Sequence, residues 1–464
     1  MKDKISGSPA GKYRWVICAL LFFATTTNYI DRQILALLKP TLDEQIGWSN
    51  EQYGWINSFF QGAYGIGLLW FGWFVDKYGV RKGYAVSMIA WSLAALAHAL
   101  IVFIPQNASL HFNFHGYTQV LGYSMLAVTA FGVCRVLLGW AEAGNFPSAI
   151  KGVAQWFPKR ERALATSLFN SGSNVGAIVA PAIVPPLAYY FGWQSAFVIA
   201  GLVGFIWLFF WLPAYKLPEE HPRVTPEELA FIRSDAPDAG GESKIPWVSL
   251  LSYPQTWSFI VAKFMTDPVW WFFLIWLPDF FKKTRGLDIK SSWLHLVTIY
   301  AIVTVLSIAG GWVTGHLTKQ GWTVTRARKT GMFVFALCVL PVFLINGAGD
   351  WGAVLIIGLA GAAHQAWSAN LFTTVSDMFP KRAVASVVGM GGMAGSLGGM
   401  MFPILTGRLL DKFQAEGNIK AGYAIIFVIC GCAYLVSFVI NHLLAPRYEP
   451  VRMEHFKDDK QSME

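Results

Sequence analysis

Three clusters of ionisable side chains sit where the surrounding residues are almost wholly apolar: Asp31-Arg32 within Asn28-Tyr29-Ile30-Asp31-Arg32, Arg135 with Glu142, and Lys263 with Asp267. Together these residue types can hold an anion and move a proton. An arginine fork grips a carboxylate through two parallel charge-assisted hydrogen bonds and stays charged at any working pH. A carboxyl group shut away from water exchanges its proton when a cation moves toward it or away from it. Helical spacing says which groups meet. Asn28 and Arg32 share a face, whereas Asp31 points about 100° away from Arg32. Arg135 and Glu142 share a face but lie roughly 10 Å apart along the axis, too far for a simple pair. Each therefore needs a partner from another segment, and Asp31 with Arg135 is the expected match. Lys263 and Asp267 can bond each other, and Pro268 behind them frees a backbone carbonyl and favours a bend. A clamp is expected, with Arg32 and Tyr64 on one side and Lys263, Gln365 and Asn370 on the other.

Composition sets the elements that must position these residues. The chain has 464 residues, of which 55% are hydrophobic, 16% aromatic and 14% charged; a soluble domain carries about 25% charged residues. Its 36 Lys and Arg with 27 Asp and Glu cannot cover the surface of a soluble protein of this length. The solvent must be mostly lipid, which suits the 44 Gly, 21 Trp and 35 Phe. Apolar runs long enough to span a bilayer as helices occur near 14–38, 53–75, 83–105, 118–143, 163–190 and 192–213, then near 255–281, 293–317, 330–347, 351–377, 383–406 and 422–444. The expected fold is an all-α membrane protein of 12 transmembrane helices in two six-helix pseudo-symmetric halves, 1–213 and 255–464, joined by a linker at 214–254. Within that linker, Thr225-Pro226-Glu227-Glu228 reads as the start of one short helix. The first apolar run follows a basic segment, contains Asp31 and Arg32 and lacks an early cleavage site, so it reads as a retained span rather than a signal peptide. Cys18, Cys134, Cys338, Cys430 and Cys432 all fall in apolar runs and read as packing residues.

Charge placement and an internal repeat orient the spans. If both ends lie on one side, that side collects 24 Lys and Arg and the opposite loops eight, which makes the termini and linker cytoplasmic by the positive-inside rule. No basic stripe or motif supports a nucleic-acid partner. Phe157-Pro158-Lys159-Arg160 recurs as Phe379-Pro380-Lys381-Arg382, 222 residues later, and Pro181 and Pro403 share that offset. Six spans per unit keep both copies in one orientation, which places a substrate site near midplane between them.

The stretch Gly72-Trp73-Phe74-Val75-Asp76-Lys77-Tyr78-Gly79-Val80-Arg81-Lys82 resembles the signature of the major facilitator superfamily, and the likeness covers essentially the whole chain. It implies a gating loop in which Asp76 pairs with basic residues of its half, with Arg81 in the same device; a purely topogenic basic loop is the alternative. The second copy has Gly315 where the first has Asp76. Asp31-Arg32, Arg135 and Glu142 with Phe146-Pro147 and Trp156-Phe157-Pro158 resemble the anion:cation symporters of that superfamily. Within them, Lys263-Phe264-Met265-Thr266-Asp267-Pro268-Val269-Trp270 and His364-Gln365-Ala366-Trp367-Ser368 are most similar to bacterial hexuronate transporters for galacturonate and glucuronate. Gly392 stands where galactonate-carrying relatives often have Asn. The resemblance implies proton uptake at Asp31 and Glu142 and anion binding at Arg32 and Arg135.

Weaker signals keep two readings each. Gln61, Tyr64, Asn170, Ser173, His364, Gln365 and Ser368 fall at helical spacing and suit either sugar hydroxyls or hydrogen bonds between helices. His364, 222 residues after Glu142, either serves the substrate or packs. Trp270, Trp271 and Trp367 either stack on a sugar ring or serve belt and packing roles, and Trp270, beside Pro268, is the preferred stacking residue. His111 and His115 read as a solvated pair rather than a metal site, and Gly389 to Gly399 as close helix packing rather than a nucleotide loop. The absence of P-loop, H-E-x-x-H and G-x-S-x-G patterns argues against an enzyme. The expectation is a monomeric proton-coupled importer of a hexuronate-type anion in the inner membrane. It should need no cofactor beyond the coupling ion, H+ ahead of Na+. A symporter for an aldonate, aldarate or aromatic acid, or an uncoupled facilitator or exchanger, is the alternative.

Overall fold

The computed structural model describes residues 12–114, 117–234 and 247–451. Helices dominate because almost every apolar run must satisfy its own backbone hydrogen bonds in lipid. The first group comprises α1 (Tyr13–Ile46), α2 (Asn50–Tyr78), α3 (Val80–Leu100), α4 (Tyr123–Glu142), α5 (Asn145–Trp156), α6 (Lys159–Phe191) and α7 (Gln194–Ala214), with α4 and α5 forming one span. Two short linker helices follow, α8 (Pro226–Ile232) and α9 (Trp247–Leu250). The second group comprises α10 (Pro254–Arg285), α11 (Ile289–Lys319), α12 (Val324–Val339), α13 (Asp350–Met378), α14 (Lys381–Ala415) and α15 (Ile419–Leu444). Ten of these spans are long and apolar enough to cross a membrane on composition alone. The two that fall short are α1 and α2. They carry the polar residues that later prove to build the site.

Local chemistry explains the boundaries. Gly47, at φ 70°, ends α1, and a capping box of Ser49 with Gln52 starts α2. The expected end of the first span at 38 is therefore too early: the helix runs through Pro40 to Ile46, so Lys39 and Asp43 are helical. The fourth span begins at Tyr123 rather than 118, because β1 (Ser109–Phe114) and β2 (Tyr117–Gly122) pair antiparallel ahead of it. His111 lies in β1 beside Ser109, and His115 falls outside the described residues. The repeat is visible in backbone angles: Pro158 and Pro380, which precede α6 and α14, have φ and ψ of −64°, 154° and −64°, 153°. Thr225 caps α8 as its spacing suggests, through the Glu228 N–H. The Glu228 carboxylate in turn accepts from the N–H groups of Tyr13 and Arg14 and pairs with the Arg14 guanidinium at 3.2 Å. The linker helix thus caps α1 and docks on the first group.

The end of the molecule where α1 begins is here the near end, and the end where it finishes the far end. Across the interface α1 packs on α10, α2 on α14 and α6 on α11. Glycines permit the α2–α14 approach: a Cβ at Gly54 would lie 2.4 Å from the Pro403 carbonyl oxygen, and one at Gly407 would lie 2.3 Å from that of Asn50. One apolar core lies within the first group at the near end, around Ile17, Leu21, Tyr84, Trp156 and Trp211. A second is continuous from Leu38, Trp48 and Tyr53 into Phe273, Trp276 and Tyr423 of the other group. Polar contacts between the groups cluster toward the same far end. The Tyr53 hydroxyl donates to the Ile275 carbonyl at 3.0 Å, Asn50 Nδ2 to Asp411 at 2.9 Å, and Arg408 pairs with Glu51 at 2.7 Å. The far end is closed.

Candidate functional site

Midway along the first group, α1, α2 and α4 bring together Asn28, Asp31, Arg32, Asn57, Phe60, Gln61, Tyr64, Arg135 and Glu142, all at most 8% exposed. Arg32 Nε donates to Glu142 Oε2 at 2.7 Å. The guanidinium lies 4.4 Å from the Tyr64 ring centre, 5.5 Å from Phe60 and 5.7 Å from Trp271, a residue of the other group. Arg135 stacks on the opposite flank of this cluster, 4.6 Å from the Phe60 ring, and donates to Asn57 Oδ1 at 3.3 Å. Asp31 accepts from the indole N–H of Trp91.

The pairing differs from the expected one. Asp31 and Arg135 form no ion pair; the salt bridge joins Arg32 to Glu142 instead. The 100° offset explains it: Arg32 faces α4, and Asp31 is turned to Trp91 on α3. Among the described residues no carboxylate lies within 4 Å of the buried Arg135, and its Nε and Nη1 have no partner. Further unpaired atoms lie beside it: both polar atoms of Asn28, Asp31 Oδ1, Arg32 Nη2, Gln61 Oε1 and Glu142 Oε1. Buried polar groups are normally satisfied, and an unpaired buried cation is among the costlier states available to a fold. These open valences cluster around the two arginines, where a guanidinium can grip a carboxylate.

The second group is arranged differently. Lys263 Nζ pairs with Asp267 Oδ2 at 2.7 Å on α10 and lies 4.6 Å from the Phe372 ring centre. Asp267 is pressed against α14, where a Cβ at Gly395 would fall 2.2 Å from its Oδ2. The Trp270 indole and His364 imidazole stack in parallel, 5.5 Å apart and 2° from coplanar. His364 Nδ1 is 2.6 Å from the Tyr434 hydroxyl. Asn370 is occupied: its Nδ2 donates to the Ala366 carbonyl at 2.8 Å and its Oδ1 accepts from Arg328 at 3.3 Å. Gln365 is half-buried, directly after His364 and two residues before Trp367. The structure thus joins Arg32 and Tyr64 as expected, and keeps Lys263 bonded to its own helix rather than to Gln365 or Asn370.

In the signature loop, Asp76 pairs with Lys151 of α5 at 2.8 Å, within its own half as the resemblance implies. Arg81 does not join them. Its Nε and Nη2 donate to the Leu212 carbonyl at 3.1 and 2.6 Å, capping the end of α7. Three contacts depart from the sequence reading. Trp271, not Trp270, faces Arg32, a distinction that needs the rotation of the helix. Trp91 holds Asp31 from α3, whose Arg81, Lys82 and His98 lie toward its ends. Lys39, counted among the loop cations, is fully buried, and its i,i+4 spacing to Asp43 was the available signal.

These features coincide with family comparisons. The Major Facilitator Superfamily profile matches residues 21–403, and the chain belongs to that superfamily. It is a multi-pass membrane transporter rather than an enzyme. It is 28% identical over 403 residues to the "Hexuronate transporter" of Escherichia coli (strain K12), covering 86% of this chain and 88% of that protein. It is also 28% identical over 482 residues to the "Probable galactarate/D-glucarate transporter GudP" of Bacillus subtilis (strain 168), covering 100% and 99%. A D-xylose-proton symporter crystal structure superposes with a TM-score of 0.71 at 14% identity, covering 94% of this chain and 99% of that one. That likeness speaks for the fold.

Proposed function

We propose that the chain is a proton-coupled symporter that imports a hexuronate-type sugar acid, such as galacturonate or glucuronate, by alternating access. The observation that carries this reading is the Arg32–Glu142 pair beside the unpaired Arg135. While Glu142 is ionised it occupies the Arg32 fork. A proton on Glu142 releases that fork for a substrate carboxylate, so anion and proton arrive together. Asp31, with one oxygen on Trp91 and the other unpaired, is the second proton acceptor. The unpaired amides of Asn28 and Gln61 and the stacked Trp270–His364 pair suit the hydroxyls and ring of a sugar acid. Names of the relatives, hexuronate and galactarate/D-glucarate transporters, support the substrate class.

The positive-inside count supports an inner-membrane protein with cytoplasmic termini, which makes the far end external and the structure closed to the outside. Charge balance supports proton coupling: the acids Asp31, Glu142 and Asp267 match the bases Arg32, Arg135 and Lys263 in number, so a monoanion brings at least one proton with it to avoid burying net charge. One proton gives electroneutral transport and two give an inward current. The monomer is the functional unit, with no cofactor beyond the ion.

Purified protein in proteoliposomes tests this. With an imposed inward proton gradient, labelled galacturonate or glucuronate should accumulate against its own gradient, ahead of glucarate, galactonate and benzoate. Accumulation driven by Na+ alone, or equilibration without accumulation, would replace the proton symporter with a sodium-coupled or an uncoupled carrier.

A further inference from the structure

The second half carries a buried cation that its own chain neutralises. Lys263 Nζ lies 2.7 Å from Asp267 Oδ2, with side chains 8% and 17% exposed. Both belong to the helix that presents Trp271 to Arg32, whose guanidinium lies 5.7 Å from that ring. Eight residues separate Lys263 from Trp271, so Lys263 stands about 12 Å along α10 toward the near end. A six-carbon diacid held at Arg32 by one carboxylate has the length to reach Lys263 with the other, each end adding a charge-assisted hydrogen bond of about 2.8 Å. Asp267 already fills that place.

Packing fixes Asp267 there. The α14 backbone backs the carboxylate so closely that a Cβ at Gly395 would strike Asp267 Oδ2, the oxygen that holds Lys263, and one at Gly398 would crowd the Pro268 ring. Glycine at both positions lets the two helices close around the pair. The Phe372 ring covers the ammonium at 4.6 Å. His364, stacked on Trp270, is engaged with the Tyr434 hydroxyl, and Arg328 with Asp377 and Asn370.

We propose that Asp267 is a specificity-determining residue: bonded to Lys263, it denies a second substrate carboxylate its cation and so restricts the site to sugar acids with one carboxylate, against diacids of the aldarate type. A second carboxylate takes Lys263 only by displacing Asp267 and then lying beside it, two like charges in a site shut from water. A hexuronate meets no such penalty, because its other end is an uncharged hemiacetal. Relatives named for hexuronate and for galactarate/D-glucarate both stand at 28% identity. Overall likeness therefore does not choose between one carboxylate and two, whereas this ion pair does.

The inference deepens the hexuronate reading and rests on it. Isothermal titration of the purified full chain with galacturonate and with glucarate gives the ratio of the two affinities. The unsubstituted protein should favour galacturonate. Asp267→Asn frees Lys263 and should raise the glucarate-to-galacturonate ratio about tenfold or more, whereas Asp267→Glu, which keeps the charge, should hold the parent ratio. Lys263→Met/Asp267→Asn should return the ratio to the parent value, because the gain depends on the ammonium. An unmoved ratio in Asp267→Asn, or a raised ratio that survives loss of Lys263, overturns the inference. If Asp267→Asn does not fold, Gly395→Ala takes its place, since the added methyl pushes Asp267 Oδ2 off Lys263; a parent-like ratio in that variant overturns the inference. Equal affinity for both acids in the unsubstituted protein overturns it too, with hexuronate binding intact. Binding of neither acid removes the hexuronate reading and the inference with it.

Discussion

The two halves repeat one fold yet treat their buried charges in opposite ways. In the first half, Arg32 meets Glu142 across helices, and Arg135 has no carboxylate within 4 Å among the described residues. In the second, Lys263 and Asp267 neutralise each other one turn apart on a single helix, and Arg328 is matched by Asp377 at 3.2 Å. His364 occupies the repeat position of Glu142 and is already bonded to Tyr434. The first half keeps unpaired atoms around its buried charges, whereas the second pairs Lys263 with an acid of its own. On the proposed function, ion and anion are handled by one half, while the other supplies aromatic surface and a second, self-compensated charge.

Substitutions should break this asymmetry in a graded way. Arg135→Ala and Arg32→Ala should have the largest effect, because removing one partner of a buried charge contact costs about 2–5 kcal/mol. Isothermal titration with galacturonate should show binding weakened by more than tenfold in both. Glu142→Gln should come next: exchange of substrate across equal pH persists, whereas proton-driven accumulation disappears from vesicle uptake. Undiminished uphill uptake in that variant would remove Glu142 from the coupling.

In the second half the effect should be smaller and non-additive. Asp267→Asn leaves Lys263 buried without its counter-ion and should lower the apparent melting temperature measured in detergent. Lys263→Met/Asp267→Leu should recover most of that loss, since an ion pair replaced by apolar groups is often neutral or stabilising. A double variant as damaged as the single would show that Lys263 itself is needed. The smallest change is expected at the loop. Asp76, 78% exposed on its side chain, pairs with Lys151, and such surface pairs contribute about 0–1 kcal/mol. Asp76→Asn should leave affinity unchanged and alter only the transport rate.

Much of this arrangement was legible in the chain. Twelve spans, the repeat at Phe157 and Phe379, the capped linker helix at Thr225 and the grouping of Arg32 with Tyr64 follow from hydropathy, proline placement and helical spacing. What was not legible depends on rotation and on neighbours from distant spans. Asp31 and Arg32 are adjacent in sequence, and only the orientation of α1 against α3 and α4 decides that Arg32, not Asp31, reaches across to α4. Lys39 was hidden by Pro40, which looks like the end of a helix although α1 continues through it to Ile46. Its partner Asp279 is 240 positions away, beyond any local pattern.

In the proposed cycle the ionised Glu142 carboxylate and the substrate anion compete for one fork, Arg32, so proton and anion bind cooperatively. Calorimetric titration of galacturonate into the purified protein and into Glu142→Gln, across a series of buffers from acidic to alkaline, tests it most directly. Affinity of the unsubstituted protein should fall as pH rises, because ionised Glu142 recaptures Arg32, while that of Glu142→Gln should stay nearly flat over the same range. Parallel pH dependence in the two proteins would contradict the assignment.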